Sequence, residues 1–167
     1  MSNLAVYLAM LLLGSNFTSS TVAKPVLNKA VVQMVDEEQR FINLVNSERA
    51  ANGLKVLELD TLLVQVGRNH AKEMCDKNYF NHMSPTPRLK TPLDRYLASI
   101  QTRPGRLSLG ENLFYCSIVD VNRGHMCLME SPGHRANILN PKFDRIGVGV
   151  YKSPSGEFWV TEMFISD

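Results

Sequence analysis

The stretch Ser131-Pro132-Gly133-His134-Arg135-Ala136-Asn137-Ile138-Leu139 places a helix start, an ionisable ring and an apolar anchor close together. Ser131 is a suitable N-cap, because its hydroxyl can accept a hydrogen bond from the free N–H groups of a first helical turn. Pro132 suits the first helical position, which needs no donor. His134 falls in that turn, where the positive end of the helix dipole favours a neutral ring that can act as a ligand or a base. Asn140-Pro141 ends the helix, since proline pushes the preceding residue out of the helical region.

Composition limits the class of protein before any motif is considered. The chain has 167 residues, 44% of them hydrophobic, and a formal net charge of +2. These values fit one globular domain. No basic run is present that would neutralise a phosphate backbone, so nucleic acid is not expected as a partner.

The N-terminal segment is typical of a secretory signal. An apolar run from Leu4 to Gly14 is too short to span a bilayer comfortably and is followed by small polar residues. A small-x-small cleavage site predicts a signal peptide over residues 1–23, a leader over 24–35 and a folded domain over 36–167. No Lys or Arg precedes the run, so an uncleaved anchor or a misjudged start codon is the alternative. With the signal removed, we expect a secreted or cell-envelope protein with no stable membrane span.

The cysteines are few and odd in number: Cys75, Cys116 and Cys127. An odd count in an exported protein leaves a free thiol or an intermolecular bridge. Cys116 and Cys127 would close a short loop if the fold brings them together, and three buried free thiols are the alternative. No Cys-x-x-Cys pair occurs, which excludes a zinc ribbon.

Helix-start signals dominate the first two thirds of the chain. A first helix is expected to begin near Asp36, with that residue as its cap. Asp60 or Thr61 caps a second helix, and Thr91 caps a third, with Asp94 three residues later as in a capping box. A weaker helix covers about residues 120–130, with its apolar side formed by Met126, Leu128 and Met129.

Strand signals concentrate late in the chain. A short extended segment is expected at 54–58 and an apolar strand at 113–116. Gly and Val alternate over 146–151, which leaves one face bare so that another backbone or a helix can come close. A turn then leads to a final strand over 158–165, and the last two strands form a hairpin. Helices first and strands late predict an α+β fold with a small, mainly antiparallel sheet.

Four positions are candidates for chemistry: His82, Glu111, His134, and an acid or hydroxyl at Glu130 or Ser131. None belongs to a local catalytic motif, since there is no His-Glu-x-x-His helix, no Gly-x-Ser-x-Gly elbow and no phosphate-binding glycine loop. The alternative interpretation is a loop histidine, a strand-end charge and a helix-terminal histidine. His70 lies on the apolar stripe of the second helix and is interpreted as a packed core histidine.

Several separate motifs, in order, resemble the CAP superfamily (the SCP domain of cysteine-rich secretory, antigen 5 and pathogenesis-related class 1 proteins), in its compact bacterial-type branch. The resemblance covers about residues 38 to 165. The motifs are Leu44-Val45-Asn46-Ser47-Glu48-Arg49, His70-Ala71 with Met74, Phe80-Asn81-His82, Gly110-Glu111-Asn112, Ser131 to Leu139, Ile146-Gly147-Val148-Gly149, and Trp159-Val160-Thr161-Glu162-Met163-Phe164.

The resemblance implies a three-layer α-β-α sandwich and an open cleft lined by two histidines and two acids. The histidines match His82 and His134, and the first acid matches Glu111. The position of the second acid falls on Ser131, with Glu130 beside it. The family tryptophan before it is replaced by Leu128. We hypothesise that Glu162, where relatives often carry Gln, restores an acid to the cleft.

Two classes of function follow. The first is a secreted, monomeric binding module whose cleft (His82, Glu111, Glu130, Ser131, His134 and Glu162) takes a divalent ion, a small apolar ligand or an extracellular partner protein. His82 and His134 would hold the ion, and Zn²⁺ suits imidazole. The second is a metal-assisted or Glu/His-dependent hydrolase acting through His82, Glu111 and His134. A structural envelope protein with a vestigial cleft is a third possibility.

Overall fold

The computed structural model describes residues 32–100 and 105–166. The predicted signal peptide and most of the predicted leader therefore lie outside the described residues. The elements, in chain order, are α1 (Asp36–Ala51), β1 (Glu58–Leu59), α2 (Thr61–Asp76), α3 (Pro92–Leu97), β2 (Ser108–Cys116), α4 (Val121–Glu130), α5 (Pro132–Ile138), β3 (Arg145–Lys152) and β4 (Phe158–Ser166).

Four strands form one sheet in the order β1-β3-β4-β2. The short β1 pairs parallel with β3, whereas β3–β4 and β4–β2 are antiparallel. The mainly antiparallel sheet expected from the sequence is thus confirmed. Among the described strands β2 lies at an edge, and this edge carries Glu111.

Helices cover both faces of the sheet, because the side chains of the strands alternate between two apolar layers. On β4, Phe158, Val160 and Phe164 pack with α1, α4 and α5. Met163 and Ile165 pack with α2 and α3 on the opposite face. The predicted three-layer α-β-α sandwich is confirmed.

Helix α2 packs on the bare face predicted on β3. A Cβ added at Gly147 would overlap Leu63 and Val64, and one added at Gly149 would overlap Gly67 and Arg68. The alternation of glycine and valine thus lets the helix backbone lie directly on the strand.

Two predicted caps are confirmed. The Asp60 side chain accepts from the backbone N–H groups of residues 62 and 63. Thr91 and Asp94 form a reciprocal capping box at the start of α3.

Other local predictions need correction. Asp36 is the first helical residue of α1, not its cap, and the Glu38 carboxylate accepts from the Val35 N–H instead. The segment predicted at 54–58 pairs only at Glu58–Leu59. Met126, predicted on the apolar side of α4, is exposed. His125, the preceding residue, is buried instead.

The three cysteines are free, so Cys116 and Cys127 do not form the bridge that was one of the alternatives. Cys116 is buried in the sheet and the other two thiols are half-buried. Within the described residues, no helix is both long and apolar enough to cross a membrane.

Candidate functional site

Three ionisable side chains, linked in a chain by hydrogen bonds, form the centre of the cleft. His82 Nδ1 lies 2.8 Å from Glu111 Oε1, and Arg95 Nη2 lies 2.6 Å from Glu111 Oε2. Arg95 and Glu111 are almost completely buried, whereas the His82 ring is about half exposed. The carboxylate therefore connects a buried guanidinium to an accessible imidazole.

Each member of this chain comes from a different element. Glu111 lies within β2, and Arg95 lies in α3. His82 lies in the loop after α2, which Arg95 also holds by donating from Nη1 to the His82 carbonyl at 3.1 Å. His70 of α2 supports the same loop, because its Nε2 donates to the Asn81 carbonyl at 3.2 Å. His70 is buried, as predicted, and burial lowers its pKa to about 4.

These hydrogen bonds define which atoms of the cleft are available for chemistry. A carboxylate only accepts, so the Nδ1 of His82 carries the proton and the Nε2 lone pair of a neutral ring is free. Both oxygens of Glu111 are already engaged. Glu111 therefore orients His82 in the way that carboxylates orient metal-bound histidines.

His134 lies on the other side of the same edge, in the first turn of α5. Burial lowers its pKa, and the electrostatic effect of His82 lowers it further. The ring is therefore neutral at neutral pH, as predicted, although burial is the main cause where the sequence suggested the helix dipole. Both histidines flank the same stretch of β2, since Glu111 holds His82 and the neighbouring Asn112 donates to the His134 carbonyl.

An apolar groove of about 340 Å³ begins at His134. Its wall on β2 is formed by residues 113–115. Exposed Phe80 stands beside Tyr115, with ring centroids 6.3 Å apart, and Tyr115 packs on Trp159 at 4.4 Å. The remaining lining residues are Cys127, Leu128 and Ser131. Leu128, at the position where the resemblance implies tryptophan, therefore forms part of the groove.

The two candidates for the second acid position diverge. Ser131 lines the groove with His134, and it precedes α5 as predicted, but its hydroxyl makes no capping hydrogen bond. Glu130 lies on the opposite side of α4, in a separate groove with Pro132 and Arg135. The helical rotation between successive residues turns Glu130 away from the cleft.

Glu162 does not restore an acid to the cleft surface. It is fully buried, because the alternation of β4 places it on the same face as Val160 and Phe164. Its Oε2 accepts from Asn112 Nδ2 at 3.0 Å, while Oε1 has no hydrogen-bond partner among the described residues. Burial raises the pKa of Glu162 to about 7.

Two asparagines fix α5 to the edge strand. Asn112 Nδ2 donates to the His134 carbonyl at 3.1 Å, so the residue that contacts Glu162 also holds the backbone of His134. Asn137 Nδ2 donates to Asn112 Oδ1 and to the Glu111 carbonyl, at 2.9 and 3.2 Å. The amides thus hold the two halves of the cleft in one arrangement.

The residues of the cleft can supply two imidazole ligands to one ion. No cluster of three or more His, Cys, Asp or Glu side chains suited to a metal was found in the part of the chain that the structure describes. An ion between His82 and His134 would therefore take its other ligands from water or from a bound molecule.

Arg95, Asn112 and Asn137 are the functional residues that sequence reasoning missed. Arg95 follows a capping box and has the pattern of an ordinary surface cation. Asn112 and Asn137 occur within the quoted motifs, so their place in the motifs was the available signal. Their partners lie on other elements, which the sequence pattern does not pair.

Comparison with known proteins gives a consistent result. The sequence model of the cysteine-rich secretory protein family, CAP, matches residues 42–164. The uncharacterized protein YkwD of Bacillus subtilis (strain 168) is 37% identical over 131 residues, covering 77% of this chain and 46% of that protein. The uncharacterized membrane protein YlbC of the same organism is 32% identical over 114 residues, covering 68% and 31%.

A solved structure shows the same similarity. The SCP-domain extracellular protein from Bacillus anthracis str. Ames superposes with a TM-score of 0.65 at 31% identity, covering 78% of this chain and 40% of that chain. The chain thus spans less than half the length of each of these three relatives.

Proposed function

The chain belongs to the cysteine-rich secretory protein (CAP) family, and on that premise we propose that it is a secreted or cell-envelope binding module rather than a hydrolase. Its cleft takes a divalent ion between His82 and His134, with Zn²⁺ as the best match to imidazole donors. The adjoining groove takes the apolar part of a small ligand or of an extracellular partner. The predicted signal segment supports export.

One observation carries the proposal: the chain Arg95–Glu111–His82. A buried guanidinium fixes the carboxylate, and the carboxylate fixes the tautomer and orientation of the accessible imidazole, which is the arrangement that supports a metal-binding histidine. The same contacts occupy both oxygens of Glu111. A carboxylate that is stabilised by a buried guanidinium and an imidazole N–H is a poor general base, which favours binding over catalysis.

The groove supports the apolar part of the proposal. It lies directly beside His134 and is walled by aliphatic and aromatic side chains. A volume of about 340 Å³ falls in the range of small-molecule sites, which are largely apolar with few polar groups. A ligand in the groove would place its polar end at the two imidazoles.

The test is calorimetric titration of the purified full chain with Zn²⁺. We expect His82→Ala and His134→Ala each to remove one bound equivalent. Glu111→Gln should weaken that equivalent by roughly 10- to 100-fold, because it removes the group that orients His82. Lys142→Ala, an exposed change outside the cleft, is the control and should bind as the wild type does.

Unchanged zinc stoichiometry and affinity in both histidine variants would refute the ion site. Native mass spectrometry of the exported protein, with and without chelator, examines the same proposal in a natural source. A mature chain beginning at Lys24 and a chelator-sensitive metal mass or a bound apolar ligand are the expected results. A full-length chain without any bound mass would contradict it.

The hydrolase alternative is favoured by one feature, the Ser131 hydroxyl. It makes no capping bond and lies in the same groove as His134. A panel of peptide and ester substrates tests this alternative. Turnover that is lost in both Ser131→Ala and His134→Ala, with the fold intact by circular dichroism, would replace the binding proposal.

A further inference from the structure

A second groove, outside the cleft, contains a buried histidine without a hydrogen bond. His125 of α4 is 7% exposed, and neither ring nitrogen has a hydrogen-bond partner among the described residues. A buried polar group in this state is costly and points to a water or an ion that completes it. His125 takes no part in the cleft.

The distance from the His125 ring to the carboxylate of Glu48 favours an ion over a water molecule. Glu48 Oε1 of α1 lies 3.8 Å from His125 Nε2, which is too long for a hydrogen bond. A nitrogen and an oxygen that both ligate one zinc ion at about 2.0–2.2 Å stand roughly 3–4 Å apart. The gap therefore matches the separation of two ligands on a shared ion.

The groove provides space and charge for a cation. It has a volume of about 660 Å³ and is lined by Glu48, His125, Met126, Met129, Glu130, Pro132 and Arg135. Two carboxylates face one guanidinium in this lining. The two methionine thioethers suit a softer ion more than calcium or magnesium.

We propose that His125 and Glu48 form a metal site distinct from the cleft, which takes a borderline divalent ion such as Zn²⁺ with water completing the coordination. Glu48 is 40% exposed, so its carboxylate can move aside to admit the ion. Burial lowers the pKa of His125, and the neutral ring is the form that ligates. The protein supplies only one nitrogen donor, from His125, and one oxygen donor, from Glu48. The site therefore exchanges metal more readily than a structural zinc centre, which has four protein ligands.

The experiment uses the full chain carrying His82→Ala and His134→Ala, which removes the ligands of the proposed cleft site. Calorimetric titration with Zn²⁺ should still detect one equivalent. Adding His125→Gln should weaken that equivalent by about 100-fold or more, since it removes a direct ligand. Adding Glu48→Gln should weaken it at least about tenfold and does not risk the core, because Glu48 is half-exposed.

Glu37→Gln is the matched control, since it removes a carboxylate from the same helix without touching the groove. It should bind zinc as the parent does. The proposal would be overturned if the parent, which lacks both cleft histidines, binds no zinc. It would also be overturned if the His125 and Glu48 variants bind zinc with the same affinity as that parent. Because the cleft histidines are absent throughout, failure here is independent of the proposed function.

Discussion

Glu111 shows how one residue acquires several roles that its position in a motif does not reveal. Its carboxylate neutralises Arg95, selects the tautomer of His82 and ties α3 to the edge strand. The sequence predicted an acid in the cleft. In the structure Glu111 is buried and positions His82, whose ring is the exposed member of the pair.

Replacing Glu111 with Gln tests this role through stability. The change leaves the guanidinium of Arg95 buried without its charge partner, and breaking a buried ion pair in this way costs about 3 kcal/mol or more. Urea denaturation should show that loss in the free energy of unfolding. Glu58→Gln, which breaks a fully surface-exposed pair with Lys55, should change it by less than about 1 kcal/mol. A loss at Glu111 no larger than at Glu58 would contradict the assignment.

Residue-scale reasoning was least reliable where two neighbours on a helix face different ways. Glu130 and Ser131 were treated as alternatives for one position, and they lie in different grooves. The pattern predicts Met126 on the apolar side of α4, but Met126 is exposed and His125 is buried. Such choices depend on how α4 is rotated on the sheet, which the local sequence pattern does not specify.

At the scale of elements, the contact between α2 and β3 depends on glycine. The alternation over residues 146–151 correctly predicted a bare strand face, because a period of two is a local property of the sequence. What the sequence did not state is that α2 is the element that occupies this face. The caps at Asp60 and Thr91 were predictable for the same local reason.

Gly149→Ala tests the helix–strand contact. A Cβ at this position would overlap the backbone of Gly67 and Arg68, and backbone cannot move aside as a flexible side chain does. Overpacking of this kind costs about 1–3 kcal/mol and more where the backbone must shift. We expect a loss of about 3 kcal/mol or more in the free energy of unfolding, measured by urea denaturation.

Gly133→Ala is the control for that substitution. A Cβ at Gly133 meets nothing within 4 Å, and the change should be neutral or slightly stabilising, by less than about 1 kcal/mol. Equal stability of the two alanine variants would show that α2 does not lie on β3 as described.

At the scale of the whole molecule, burial of Glu162 links stability to pH. Its pKa is raised from 4.5 to about 7 in the folded state, so the folded chain holds a proton there that the unfolded chain releases at a lower pH. The stability that this group contributes is therefore complete below about pH 4.5 and is lost as the pH rises to about 7. At about 1.4 kcal/mol for each pKa unit, the loss is about 3 kcal/mol.

Glu162→Gln should remove that dependence. The two proteins should have similar free energies of unfolding near pH 4.5, and the variant should be more stable by about 3 kcal/mol near pH 8. His70 acts in the opposite direction, because its pKa is lowered to about 4 and its contribution is lost as the pH falls below about 6.5. The measurement is therefore the difference between wild type and variant at each pH, in which the effect of His70 cancels. If the difference in the free energy of unfolding between wild type and variant stays constant from pH 5 to 8, Glu162 does not link stability to pH.

Local sequence patterns and the ordered motifs were sufficient for the fold class and the layers, and they predict His82 and His134 as the histidines of the cleft. Caps, the alternation of strands and the helical stripe of α2 are set by neighbours within a few residues, and the ordered motifs identified the family. His82 and His134 were found because each sits in such a motif.

Which side chains contact each other across the fold depends on the packing of the elements. The pairing of Arg95 with Glu111 spans 16 residues, and the approach of His125 to Glu48 spans two helices that lie far apart in the chain. This packing also decided that Glu162 is buried and that Glu130 lies outside the cleft. The physical reason is that such contacts depend on how elements pack and rotate against the sheet, which is settled by the combined burial of many side chains and not by any local pattern.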